Sequence, residues 1–360
     1  MENLLTYQQM FRDTYNPAII TALQQETSRL TGLVTHLGGC TGKRIEFNSA
    51  GNTEAGWRTD EYEEKEPVEL SYGKRCMLPI GFRHAIKFSS DWKLLKGQFA
   101  VYGPLFTSEL KKAFARIMDQ IVLGTVWDAS KKRWTIAAPQ DTIDSKTSFY
   151  NAAGIGGILG PCYVGENLVT PETMPMQPTM KDGELASTYT EYDGTNLNME
   201  KTSVIPLTYV TSGSPVVSTL TIEKIMALLE ALQTRYAWNP GETLNLAVPP
   251  SVQWALSRDE RFMSKENGFQ MLKEGLISSL LGVRIVSFNN IPIVDVGGGT
   301  LAYACPAWKS EDVLFGLWDD VDIELVKPSM SYTKYVISGM GAAGCARKRN
   351  DTILTVLCAV

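Results

Sequence analysis

Histidine is almost missing from this chain. His36 and His84 are the only two in 360 residues, which leaves few general bases near neutral pH, although carboxylates can substitute. The six cysteines (Cys40, Cys76, Cys162, Cys305, Cys345 and Cys358) include no CxxC pair, so they read as small buried hydrophobes in a reducing compartment instead of zinc ligands. A basic excess is also lacking. Lys and Arg number 34 against 39 Asp and Glu, a formal net charge of −5, without the electrostatic footprint of a tight nucleic-acid binder. No run reaches the ~18 consecutive apolar residues of a membrane span, and the opening MENLL lacks the basic and apolar order of a secretory signal. A cytosol-like compartment without a membrane anchor is expected. GxSxG, HExxH and GK[ST] are absent, so no acyl-transfer, metalloprotease or phosphate-loop chemistry is proposed.

What is present is an amphipathic pattern from Gly103 to Asp128. Phe106, Leu110, Ala113, Phe114, Ile117 and Ile121 recur every three or four residues, with Ser108, Glu109, Lys111, Lys112, Arg116, Asp119 and Gln120 on the other side. This spacing predicts one long helix with an apolar stripe, opened by Pro104 in its first turn. A second helical signal covers Asn16 to Val34, a third Thr221 to Ala237, a short one follows the prolines at 249 and 250, and another covers Gly268 to Leu281 with Gly282 as a stop.

Between the first two helical signals the chain reads as extended. Asp60, Glu61, Glu63, Glu64 and Glu66 crowd its first half, and Lys74, Arg75, Arg83, Lys87, Lys93 and Lys96 its second. An acidic limb followed by a basic limb suits a long two-stranded loop. An isolated hairpin is marginal in water, so another surface must support it, and a second copy of the chain is the simplest candidate. Ser130 to Pro215 is rich in Gly, Pro, Thr, Ser and Asn, including GIGGILG at Gly154 to Gly160, and reads as irregular with short strands. The end from Gly282 is a run of strands, and helices beside an antiparallel sheet with no repeating βα unit give an α+β class.

Two further features have competing readings. GMGAAG, Gly339 to Gly344, satisfies GxGxxG after a predicted strand, which raises the alternative of a dinucleotide-binding oxidoreductase. Only 16 residues follow, CARKRNDTILTVLCAV, and they read as a basic turn and a strand, which favours small residues where backbones approach closely. Arg347, Lys348 and Arg349 form a basic hairpin tip, either solvated or facing a neighbour's acidic limb. Asp319, Asp320, Asp322 and Glu324 read as a solvated strand edge, and no metal or cofactor is expected.

The order of these parts resembles the major capsid proteins of tailed bacteriophages, the Hong Kong 97-type fold, in the branch with a short N-terminal arm and no fused scaffold. The stretches that carry the resemblance are NPAIITALQQETSRLTGLV, the charged loop, LKKAFARIMDQIVLGTVWD, SPVVSTLTIEKIMALLEALQTR, LNLAVPPSVQWALSRDERFMSKENGFQMLKEGLISSLLGVRIVSFNNIP and ELVKPSMSYTKYVISGMGAAGCARKRNDTILTVLCAV. The resemblance implies an N-terminal arm at 1–40, an extended loop at 41–102, a spine helix of a peripheral domain at 103–129, and an insertion or irregular β region at 130–202. An axial domain mainly at 203–310 and peripheral-domain strands at 311–360 complete it. It implies a non-enzymatic protein that assembles as pentamers and hexamers into the icosahedral shell of a virion, made in the host cytoplasm. Its implied partners are further copies of itself, a separate scaffolding protein, a portal protein, a decoration protein, and enclosed double-stranded DNA held without specific binding. An encapsulin-like compartment is the alternative of the same fold. Asp60, Glu61, Glu63, Glu64, Lys74, Arg75, Arg347, Lys348 and Arg349 are the expected assembly-interface residues.

Overall fold

The long helix, α1, runs Phe99–Leu123 in the computed structural model, which describes residues 27–50, 72–89, 99–137, 156–160, 163–164, 180–181, 184–185, 204–209, 216–258, 278–296, 299–326, 334–349 and 352–360. It begins before the expected Gly103, so Pro104 lies inside the helix, where it forgoes one ladder hydrogen bond. It also stops five residues before the expected Asp128. Gly124 takes a left-handed φ of 76°, and the β-branched and aromatic residues that follow form a hairpin of β5 (Thr125–Asp128) and β6 (Arg133–Ile136).

Before the helix, β1 is Thr35–Leu37, β2 is Ile45–Ala50, β3 is Tyr72–Met77 and β4 is Ile80–Ser89. After the hairpin come four two-residue strands: β7 (Tyr163–Val164), β8 (Met180–Lys181), β9 (Glu184–Leu185) and β10 (Val204–Ile205). Helix α2 (Ile222–Thr234), β11 (Leu244–Val248) and helix α3 (Pro250–Ser257) follow, and then β12 (Ser279–Leu280), β13 (Val283–Ser287) and β14 (Ile293–Asp295). The chain closes with β15 (Leu301–Lys309), β16 (Val313–Val326), β17 (Lys334–Arg347) and β18 (Leu354–Ala359).

These strands make two principal sheets. The smaller has the order β1-β16-β17-β4, and the larger has nine strands with β15 at its centre, between β11 and β14 on one side and β18 on the other. Strands β2 and β3 pair antiparallel from Ile45↔Met77 to Ala50↔Tyr72, and β7 adds to β3 at Arg75 and Cys76; the acidic limb from Asp60 to Glu66 lies outside the described residues. Strand β4, in the same expected loop, instead lies along β17 as an edge of the smaller sheet.

Two helical expectations are corrected. Between 27 and 34 the chain forms only a 3-10 turn at Thr31–Leu33, because the N–H groups of Arg29 and Leu30 donate to the carboxylate of Asp119 and not to a preceding turn. Residues 16–26 of that signal lie outside the described residues. At the end of the Gly268–Leu281 signal, Ser279–Leu280 is a strand turning straight into β13; residues 259–277 lie outside. Within the strand-rich end, VLFGLWDDVDIELV forms one long strand, β16, with bulges near Leu317 to Asp322.

The glycine motif is strand throughout. Gly339 to Gly344 lie within β17, so no helix opens there and no dinucleotide cradle forms. The glycines exist for packing. A Cβ on Gly339 would sit 2.6 Å from Phe114 Cε2, one on Gly341 3.0 Å from the Phe82 ring, and one on Gly344 2.3 Å from the Leu78 carbonyl oxygen. The Phe82 and Phe114 rings meet at 5.4 Å, so α1 lies close on the sheet over a glycine floor. Gly344→Ala is expected to destabilise the subunit by about 1–3 kcal/mol because its obstacle is backbone. Gly32→Ala, with nothing within 4 Å of the added carbon, is expected to stay within about 0.5 kcal/mol. Thermal unfolding followed by circular dichroism checks both.

Candidate functional site: a buried junction beneath the expected assembly surface

The residues expected at an assembly interface divide into three groups. Asp60, Glu61, Glu63 and Glu64 lie outside the described residues. Lys74 lies on β3 opposite Asn48, and Lys348 and Arg349 are half-buried just past the end of β17. Arg75 and Arg347 are each at least nine-tenths buried inside the subunit.

Arg347 closes a junction at the end of α1. Its guanidinium donates to the carbonyls of Ile158 (2.8 Å) and Gly160 (2.9 Å), and Arg75 donates to the Arg347 carbonyl at 3.3 Å. The segment it grips returns to the helix, since Ile158 N–H donates to Val122 O and Leu159 N–H to Leu123 O, both at 2.9 Å. Helix ends leave carbonyls unpartnered, and GIGGILG supplies the missing donors. Close approach needs both glycines. A Cβ on Gly157 would meet Gly124 N at 2.6 Å, and one on Gly124 would meet Gly156 O at 2.3 Å. Arg347 also brings positive charge to the negative end of the helix dipole.

Asp119, expected on the wet side of α1, is fully buried. It accepts from Ser28 Oγ and from the N–H groups of Arg29 and Leu30, and so caps a turn some ninety residues earlier in the chain. Lys112, assigned to the same wet side, is buried as well and pairs with Glu109 at 3.1 Å. In α2, Lys224 is fully buried and donates to the carbonyls of Leu207 (3.0 Å), Ser218 (2.9 Å) and Leu357 (2.8 Å). Burial lowers its pKa, with Cys358 and Cys305 pulling it partly back. Lys224 and Asp119 occupy positions that spacing could have found: Lys224 shares a stripe with Leu228 and Ala231, and Asp119 with Ala115, Val122 and Leu123, all buried.

The two sheets communicate through two adjacent passages of chain. Strand β15 passes into β16 through a 3-10 turn at Ser310–Asp312, and just past the end of β17 the Lys348 N–H donates to the Asp312 carbonyl at 2.8 Å. Lys309 leads into the first passage, paired with Glu242 at 2.7 Å and Glu311 at 2.8 Å. Asp312 itself is buried, with Oδ2 unpartnered. Burial raises its pKa, against the pull of Thr352, Lys309 and Arg349 and with a further push from Glu311.

His36 is spent on the Thr31 carbonyl and the edge of Phe315, and Cys40, Cys76, Cys305, Cys345 and Cys358 are buried thiols. Among the described residues no group of His, Cys, Asp and Glu could hold a metal ion, and no helix is long and apolar enough to cross a membrane. Asp319, Asp322 and Glu324 are exposed along β16.

A family model described as phage capsid protein matches residues 178–360, just over half of the chain. The chain belongs to the phage capsid protein family. No curated protein sequence matches it. Among solved structures it is similar to the capsid of the cyanophage P-SCSP1u, with a TM-score of 0.57 at 13% identity, covering 98% of this chain and 94% of that one. It is similar to a structure of Gordonia phage Cozz, with a TM-score of 0.56 at 13% identity over 99% and 94% of the two chains. A structure of Mycobacterium phage Ogopogo gives 0.53 at 13% identity over 98% of each chain. The fold is therefore the α+β Hong Kong 97-type capsid fold, shared almost end to end, and the expected class holds.

Two substitutions test the buried groups of this capsid-family chain. Asp119→Ala strands two backbone N–H groups and a hydroxyl, so a loss of at least about 3 kcal/mol is expected, with faster hydrogen exchange of the amides at 29–31. For Asp312 the folded-state pKa lies above the unfolded one, so its stabilising contribution is complete below about pH 4 and fades as pH rises through the folded value. Asp312→Asn is accordingly expected to melt higher than the parent at neutral pH, with the gap narrowing on acidification. Melting curves at stepped pH read this directly.

Proposed function

We infer that this chain is the major capsid protein of a tailed phage, assembling as pentamers and hexamers into the icosahedral head shell that encloses double-stranded DNA. The observation that carries this is the family match, on a chain whose fold parallels phage capsid chains over nearly its full length. The protein acts by geometry and not by catalysis. Strands β2 and β3 form a ladder supported mainly at its base, which suits an extended loop that lies over an adjacent subunit. A net charge of −5 suits a wall that contains DNA without gripping it.

Within that reading, Asp60, Glu61, Glu63 and Glu64 face basic groups of a neighbour, with Lys74, Lys348 and Arg349 as the basic candidates. Arg75 and Arg347 hold the subunit's own junction and take no part. A separate scaffolding protein, a portal, a decoration protein and synthesis in the host cytoplasm belong to the same reading.

Electron microscopy of the purified protein, expressed alone and with its neighbouring genes, tests this function. Closed shells are the expected product, and a monodisperse small oligomer under both conditions would sink it. Shells filled with an enzyme in place of DNA would indicate an encapsulin-like compartment. Reversing Glu61, Glu63 and Glu64 to lysine is expected to raise the subunit concentration needed for assembly several-fold at low salt, and the difference should shrink near about 0.5 M salt. Light scattering across a salt series measures it, and an unchanged profile would mean those charges face solvent.

A further inference from the structure

Two bulky apolar residues sit where the backbone asks for a small one. Helix α2 ends with Tyr236 N–H donating to Gln233 O and Ala237 N–H to Leu232 O, both at 2.9 Å. That pattern places Tyr236 at the left-handed stop position, with φ 55°, where glycine or asparagine is usual. The turn between β12 and β13 holds two residues, because Leu280 pairs with Val283. Its φ angles are 52° at Leu281 and 81° at Gly282, the primed hairpin turn whose first position normally takes Asn, Asp or Gly.

Both side chains point away from the core: Tyr236 is 92% exposed and Leu281 52% exposed. They therefore add strain without adding burial, and side chains kept in disfavoured backbone regions point to function. The two positions share one corner. Trp238, two residues beyond Tyr236, lies 3.7 Å from the place a Cβ would take on Gly282. Its indole N–H donates to Glu242 O at 2.9 Å, and Leu244 N–H donates to Gly282 O at 3.3 Å.

We propose that the corner formed by Tyr236 and Leu281 is an apolar contact with a second copy of this chain, the laterally adjacent subunit of the shell. The proposal rests on the capsid reading above. Its occupant follows from position, because among the described residues β12 is a terminal strand of the nine-stranded sheet. The corner thus faces sideways along the sheet, and in a wall built from one chain the sideways neighbour is another copy. The surrounding charge is already balanced within the subunit, since Glu242 pairs with Lys309 at 2.7 Å. Arg284 stands exposed beside the turn, opposite Ser279, as part of a polar rim around an apolar centre.

The test exploits the strain. Tyr236→Gly and Leu281→Gly each install the residue that the backbone prefers, so the full-length subunit is expected to melt at or above the parent's temperature. Shell yield, measured by sedimentation and electron microscopy, is expected to fall at least tenfold, and most in the double variant. Tyr236→Asn tolerates the same backbone and is expected to behave like the glycine variant, whereas Tyr236→Phe should assemble like the parent. Normal shell yield from the double glycine variant, beside a parent that assembles, overturns this proposal and leaves the capsid reading intact. Shells of normal yield that have lost a bound accessory protein would also overturn it, because the occupant would then be a different protein. A parent that forms no shells under any of these conditions overturns the capsid reading and this proposal with it.

Discussion

The end of the long helix cannot be moved without moving three other parts of the chain, because Gly124 and Gly157 meet backbone to backbone. Neither position has room for a single methyl group, and the obstacles on both sides are main-chain atoms that cannot swing away. Through this contact the last carbonyls of α1 find donors at Ile158 and Leu159. The same segment offers its own carbonyls to Arg347 at the end of β17, and Arg75 ties β3 to that strand end. The helix, the base of the extended ladder and the central strand of the smaller sheet are thus fixed by one set of directional bonds around a glycine contact.

From that junction the rest of the subunit follows in order. Phe114 rests on Gly339, which sets the height of the helix above the sheet, and Asp119 on the same helix holds the N-terminal segment at its 3-10 turn. Strands β16 and β17 then carry the chain between the smaller sheet and the larger one by way of two neighbouring passages. With Lys348 bonded to Asp312, the passages form a two-stranded strap. Asp312 Oδ2 and Thr352 Oγ1 are both buried without a hydrogen-bond partner at this place.

The class of the fold was legible because order and periodicity survive in the chain. The long helix α1, the short helices after Thr221 and after Pro249 and the strand-rich end all announce themselves by apolar spacing. Boundaries were less legible, since a left-handed glycine such as Gly124 looks the same in sequence whether a helix continues or stops. Least legible were the charged residues. Arg75, Lys112, Asp119, Lys224 and Arg347 read as surface by residue type, yet each is buried against partners distant in sequence or in the adjoining turn. Stripe position could have flagged Lys224 and Asp119. Nothing local flags Arg347, whose reason for burial is a glycine-rich segment nearly two hundred residues away.

Those buried charges also differ in kind from surface ones. Except for Lys112, they bond to backbone groups: three carbonyls for Lys224, two for Arg347, one for Arg75, and two N–H groups for Asp119. Apolar packing is tolerant of small slides, whereas a charged group held by main-chain dipoles has one satisfactory position and a large penalty for others. Replacing such groups with hydrophobes of similar volume can leave stability unchanged, so stability alone does not account for them. A subunit that repeats around a closed shell has a stricter requirement, because an angular error in one copy is repeated in every copy. Directional bonds at the helix end, the N-terminal turn and the α2 face meet that requirement.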